Sequence, residues 1–231
     1  MYGRKEVMKV KKDVMILTGA GQIGMAIARR MGYGKKIVIG DKKPENAQKI
    51  AEIMNNTGFD AEAVEMDLSS RESMRNLIAR AMEYGDISML VNAAGVSPSQ
   101  ATAEELLQLD ILQLENIRDT LHAYQLAKRC NEKRVMAEAV KWGKRNARIN
   151  SISPGIIVTP LAVDELNGPR GDFYKNMFAN CPAGRPGTAD EVANAAELLM
   201  SDKGAFITGA DFLIDGGATA SYFYGPLKPE K

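Results

Sequence analysis

With a single histidine, His122, and two cysteines, Cys130 and Cys181, this chain of 231 residues has little from which to build a metal centre or a Cys/His nucleophile pair. The cysteines are far apart and lack metal-ligand spacing, so they read as reduced core or surface residues and no metal is expected. An excess of one charge is lacking too. Thirty basic side chains against 29 acidic ones leave a net charge of +1, which gives no electrostatic footprint for nucleic acid or an anionic membrane. No apolar run approaches the length that spans a bilayer, and the opening MYGRKEVMKVKK is charged, without the apolar stretch of a signal peptide. These absences imply a cytoplasmic protein with no nucleic acid and no membrane among its partners.

What is present is an alternation of short apolar runs and helical periodicity. Val14 to Leu17 predicts a strand, and the stripe Ile23, Ile27, Met31 predicts a helix closed by Gly32 and Gly34. Strands follow at Ile37 to Ile39, Ala61 to Met66 and Ile87 to Val91, with helices from Pro44 to about Asn56 and from about Ser70 to Tyr84 between them. The second half predicts a long helix around Leu114 to Trp142, a strand at Arg148 to Ile152, a helix at Ala189 to Met200 and a strand at Asp211 to Ile214. Such a rhythm predicts an α/β fold, a doubly wound parallel sheet of the Rossmann type. No linker or repeat divides it, so residues 1–231 read as a single domain.

Gly19, Gly21 and Gly24 form GxGxxG between the first strand and its helix, and Asp41 closes the next strand twenty-two residues after the first glycine. In that context glycines permit a tight turn and a close backbone approach, the helix N-terminus faces a pyrophosphate, and the acid accepts from ribose hydroxyls. Asp41 repels a ribose 2′-phosphate and so favours NAD, whereas Lys42 and Lys43 attract one and keep NADP as the alternative. Farther on, Tyr124 and Lys128 are one helical turn apart, which sets a phenol and an ammonium on one face. A cation so placed stabilises a phenolate, which makes the tyrosine useful as a proton donor and acceptor. Asp67 also fits as a cap for the helix near Ser70, and Asn92 as a turn residue.

With MDLSS around Asp67, Asn92-Ala93-Ala94-Gly95, the Tyr124/Lys128 pair, Pro154-Gly155 after ARINSIS, Thr159, PAGRPGTADEVA and FITGADFLIDGG, the chain resembles the short-chain dehydrogenase/reductase family. The likeness runs from about Val14 to Gly217. It implies an NAD(P)-dependent oxidoreductase interconverting a small-molecule secondary alcohol and a ketone, assembled as a homodimer or homotetramer. On that resemblance Tyr124 is the general acid/base, and Lys128 binds the nicotinamide ribose and lowers the tyrosine pKa. Gly19, Gly21, Gln22, Ile23 and Gly24 hold the pyrophosphate, Asp67 and Leu68 meet the adenine, and Asn92, Ala93, Ala94 and Gly95 line the cofactor. Pro154, Gly155, Ile157 and Thr159 flank the nicotinamide amide. Leu161 to Ala179, rich in Gly, Pro and charge, is expected to be a mobile lid.

Two departures stand against this pattern. Gln22 takes the place of the family's middle glycine, in a loop one residue shorter. The family also carries a serine on a strand before the tyrosine, and often an asparagine on the preceding helix, and neither has a clear match. Only 29 positions separate Gly95 from Tyr124, Ser97 and Ser99 stand in the loop after NAAG, and Asn116 is too near the tyrosine. A sheet without that strand leaves backbone groups unpaired. The expectation is therefore that a strand-helix segment is missing near residues 99–102, most simply at Ser99 to Thr102; if its absence is real, the rival is a non-catalytic dinucleotide-binding or scaffold protein. The tail aromatics Tyr222, Phe223 and Tyr224 are expected to pack against a neighbouring subunit, or else on their own domain.

Overall fold

A computed structural model describes residues 12–95, 119–169 and 171–228 of the chain. They divide into two units whose boundary lies between Ala94 and Gly95. In the first, β1 (Lys12–Thr18), β2 (Lys36–Asp41), β3 (Asp60–Glu65) and β4 (Gly85–Asn92) form a parallel sheet in the order β3-β2-β1-β4. Between them run α1 (Gln22–Met31), α2 (Pro44–Asn56) and α3 (Arg71–Met82).

The apolar runs read as strands are those that must be covered on both faces. Val14, Ile16 and Val38 pack with Met66, Leu77 and Ala81 beneath α3. The alternate residues Leu17 and Ile37 point the other way, where Gly24 and Gly32 of the α1 segment approach them so closely that a Cβ on either glycine would clash. Helices on both faces make the sheet doubly wound, and the order reverses at β1 beside β4, which opens a crevice at their carboxyl ends. At the opposite ends, a charged network ties the edge strand down. The nearly buried Lys36 pairs with Asp60 at 2.8 Å and lies 4.5 Å from the Tyr84 ring centroid, while Glu62 accepts from Arg80 and Tyr84.

In the second unit, α4 (Thr120–Gly143) is followed by β5 (Ser151–Pro154), α5 (Pro160–Asn167), α6 (Gly171–Asn180), α7 (Ala189–Met200), a 3-10 turn (Asp202–Gly204), β6 (Asp211–Ile214) and α8 (Ala218–Tyr224). β5 and β6 pair in parallel, Ser151 opposite Asp211 through Pro154 opposite Ile214. The segment of the expected lid, Leu161 to Ala179, is largely helical. Thr159 accepts from the Ala162 N–H and Pro160 occupies the first turn, which starts α5, and Gly168 ends it. The strand read at Arg148 to Ile152 lies farther on, because Arg148 and Asn150 spend their side chains on neighbouring backbone instead. The tail forms α8, which packs on α6 and whose Ser221 hydroxyl donates to the Asn180 carbonyl at 2.7 Å. Tyr222 and Phe223 remain half exposed and Tyr224 almost fully so. The suspected junction at Ser99 to Thr102, with Ser97, Ser99 and Asn116, lies outside the described residues.

Candidate active site

Three glycines after β1 do three different things. Gly19 has φ +88°, and a Cβ there would sit 2.5 Å from the backbone of Ala94, so the turn and the close pass of the chain after β4 both require glycine. Gly24 is buried, and a Cβ on it would lie 2.9 Å from Leu17 Cδ1 and 3.0 Å from Ala93 Cβ, so it lets α1 seat on the sheet. Gly21, the N-cap, opens toward empty space. No side chain caps α1 and no acid stands in its first turn, which leaves the partial positive charge of the N-terminus available at Gln22 and Ile23. This cradle fits a pyrophosphate. Gln22 is exposed there, so the departure from the family's glycine takes no room from the cradle.

The rim of the crevice is built from the ends of the other strands. Asp41 accepts from the Ala20 N–H and the Lys43 N–H, both at 2.8 Å, and thereby braces the glycine turn from β2. Asn92 accepts from the Thr18 hydroxyl at 2.8 Å and the Ala94 N–H at 3.3 Å, while the Ala93 N–H donates to the Thr18 carbonyl at 2.8 Å. These bonds lock the carboxyl ends of β1 and β4 together. Asp67 does not cap α3; Ser70 does, accepting from the Ser73 N–H. Instead Asp67 accepts from the Ser69 N–H and hydroxyl and pairs with Lys42 at 3.2 Å, with Leu68 partly exposed beside it. The two Ser69 bonds, then Lys42, hold its carboxyl down to about 2.

In the second unit Tyr124 and Lys128 share one face of α4, the ammonium 5.4 Å from the ring centroid. A Cβ on Gly95 would come 3.6 Å from the same ammonium, so Gly95 and Lys128 are neighbours within this unit. The electrostatics differ from the expectation that Lys128 lowers the tyrosine pKa. Burial, and then the negative charge of Glu165 on α5, push the phenol above its ordinary value, and the cation lies over the ring rather than answering those two effects.

Gly155, at the end of β5, passes so close to Asp215 that a Cβ would sit 2.7 Å from its Cα. Ile157 is buried and bridges to Gly187, and Thr159 is spent as the cap of α5. Beside Gly155 and Ile157 lies a cavity of about 320 Å³, also lined by Met177, Phe178, Cys181 and Ile214. The sequence places Met177 and Phe178 in the lid segment and Cys181 among core or surface residues, without assigning any of them to a cavity. Their signal was the one-turn spacing of Met177 and Cys181 before Pro182.

A helix N-terminus at the switch point of a doubly wound parallel sheet defines a dinucleotide-binding α/β protein. The family model described as short chain dehydrogenase matches residues 13–122, and the one described as Enoyl-(Acyl carrier protein) reductase matches residues 104–219. The chain belongs to the short-chain dehydrogenase/reductase family, whose members are NAD(P)-binding oxidoreductases. It is 32% identical to a D-threitol dehydrogenase of Mycolicibacterium smegmatis, over 89% of this chain and 92% of that one. It is 29% identical to a short-chain dehydrogenase/reductase of Alternaria brassicicola, over 91% of this chain and 97% of that one. The latter alignment runs over 266 positions, more than the 231 residues here, so the fungal protein carries residues with no counterpart in this chain. Among solved structures, an actinorhodin polyketide ketoreductase with NADPH superposes with a TM-score of 0.77 at 20% identity, over 91% of this chain and 99% of that one, a likeness of fold. Among the described residues no helix is long and apolar enough to cross a membrane.

Proposed function

We propose that this protein moves hydride between NAD and a small secondary alcohol or its ketone, with Tyr124 as the general acid/base. The observation that carries this reading is the Tyr124–Lys128 pair on one face of α4, with Gly95 against its ammonium. Bound nicotinamide would supply the hydride acceptor or donor. In reduction the Tyr124 hydroxyl gives its proton to the carbonyl oxygen, and in oxidation the phenolate takes the alcohol proton. A phenol whose pKa is pushed up stays protonated at neutral pH, which supports reduction as the easier direction there. Lys128 binds the nicotinamide ribose.

The remaining assignments follow the same reading. Gly19, Gly21, Gln22, Ile23 and Gly24 take the pyrophosphate, Asp41 the adenosine ribose, and Asp67 and Leu68 the adenine. Asn92, Ala93, Ala94 and Gly95 line the cofactor, and Pro154, Gly155, Ile157 and Thr159 flank the nicotinamide amide. Residues 1–231 act as one dinucleotide-binding and catalytic domain in the cytoplasm. The exposed Leu213 and the aromatic face of α8 support assembly as a homodimer or homotetramer. Relatives named for D-threitol, a 7alpha-hydroxysteroid and cis-4-hydroxycyclohexanecarboxylate support a secondary alcohol as substrate class.

Tyr124→Phe tests the role directly: turnover should fall by about 10²–10⁴-fold while dinucleotide affinity stays within about three-fold, because only the transferable proton is removed. A variant with wild-type kcat would take Tyr124 out of the mechanism. A second reading, a dinucleotide-binding protein that catalyses nothing, is favoured by the 29 positions between Gly95 and Tyr124 and the unmatched serine. NAD binding by the wild-type chain without turnover across a panel of sugar alcohols, steroids and cyclic ketones would support it. Resequencing the coding region around residue 100 would show whether a strand-helix segment belongs there.

A further inference from the structure

The basic residues beside the ribose-binding acid are not equivalent. Lys42 follows Asp41 directly, which in sequence makes it a candidate to attract a 2′-phosphate. In the fold its ammonium lies 3.2 Å from Asp67 Oδ2, on the neighbouring strand's exit loop. That carboxylate is itself fixed: its other oxygen accepts the Ser69 N–H at 2.9 Å and the Ser69 hydroxyl at 2.7 Å. Asp41, meanwhile, keeps its charge toward the glycine turn through Ala20 and Lys43. Two carboxylates therefore flank one lysine at the rim, and the lysine's charge is already answered.

We infer that the Asp67–Lys42 pair is a specificity determinant: by holding Lys42, Asp67 withholds it from a ribose 2′-phosphate and keeps the site selective for NAD. This rests on the dinucleotide reading above. Because Asp67 is held down to about 2 by Ser69 and then Lys42, it stays ionised and keeps its hold on Lys42 across the physiological range. The pair is partly exposed, with 76% of the Lys42 side chain accessible, so solvent screens it and the effect should be no more than about five-fold.

The test is a double-substitution cycle read by fluorescence titration of NAD⁺ and NADP⁺, with no turnover involved. Asp67→Asn should shift the Kd ratio toward NADP⁺ by about five-fold, because it releases Lys42. The same substitution made on Lys42→Met should shift the ratio by less than about two-fold, the residue of direct charge screened by solvent. Adenosine 2′-monophosphate against 5′-monophosphate gives the same comparison on the adenosine half alone. Equal shifts in both backgrounds would mean that Asp67 acts on the phosphate directly, and no shift in either would mean that the pair is idle; both overturn the inference, while NAD⁺ binding by the wild-type chain would keep the dinucleotide reading standing. Failure of the wild-type protein to bind either dinucleotide would overturn the functional reading together with it. A lysine substitution that leaves Ser69 and Asp67 in place keeps the cycle readable if Asp67→Asn loosens the loop: Lys42→Gln alone should weaken NADP⁺ no more than about three-fold, whereas a loss of ten-fold or more would show Lys42 already engaging the phosphate.

Discussion

β1 and β2 are sealed almost to their last residues, with Val14, Met15, Leu17, Ile37, Val38 and Ile39 fully buried, whereas β5 and β6 are only partly covered and Leu213 is 53% exposed. The two sheets share parallel geometry but not the means that hold them. Apolar faces beneath helices hold the first. In the second the strands are pinned by polar side chains: Ser151 and Ser153 both donate to Asp211, Asn150 donates to the Ile207 carbonyl and accepts from the Ala210 N–H, and Arg148 reaches the carbonyls that end α7. β4 shows where one regime gives way, since Ser88, Leu90 and Asn92 along it are exposed while β1 next to it is closed. Among the described residues β4 is bordered by β1 alone. The first unit can thus hold its shape by packing, and the second, which carries Tyr124, depends on hydrogen bonds whose partners are themselves solvated.

The sharpest test compares two leucines. Leu17→Ala removes a fully buried side chain from β1 and should cost about 2–5 kcal/mol, seen as a lower denaturant midpoint. Leu213→Ala should change stability by less than about 0.5 kcal/mol in the isolated chain. A Leu213→Ala cost near that of Leu17→Ala would break the comparison, because something would then cover β6.

Arg148→Met comes next. The guanidinium donates to the carbonyls of Leu199 and Gly204 from one nitrogen and of Met200 and Ser201 from the other, so it caps α7 where no C-terminal glycine does. Its loss leaves carbonyls unmet and should cost about 1.5–3 kcal/mol, with Arg148→Lys recovering only part because one ammonium cannot span them. Hydrogen exchange should show the loss confined to α7 and the turn after it. Unchanged protection there would mean that packing, not the guanidinium, holds this half.

How much was legible from sequence follows the same division. Pro44 marked the start of α2, the range Ala189 to Met200 matched α7, and the apolar runs marked β1 and β2, because local rules and burial agreed there. The secondary structure of the expected lid was not assigned from the sequence, although Thr159-Pro160 is a helix start. β5 begins three residues beyond its expected start, since nothing local shows that Arg148 and Asn150 will bond to residues more than fifty positions away. At the site, the glycines and the Tyr124/Lys128 spacing were readable as patterns. The pairing of Lys42 with Asp67 and the approach of Glu165 to Tyr124 were not, because each joins elements that only the fold makes adjacent.

That last approach carries the smallest expected effect and tests the proposed role of Tyr124 directly. Tyr124 has its pKa raised by burial first and by the Glu165 carboxylate second. Alcohol oxidation requires the phenolate, so its rate should climb with pH and level off only above the raised pKa; ketone reduction requires the phenol and should hold until that same pKa and then fall. Glu165→Gln removes the negative charge and leaves the burial, so the pKa should move down, but not back to the ordinary phenol value of about 10. The oxidation profile should shift toward lower pH, with a several-fold higher rate on its rising limb and an unchanged plateau, and the reduction profile should begin its fall earlier. Glu165→Asp, which keeps the charge, should leave both profiles near those of the wild type. If Glu165→Gln instead lowers the plateau with no shift in midpoint, Glu165 acts by shaping α5 rather than through its charge, and the pKa of Tyr124 is set by burial alone.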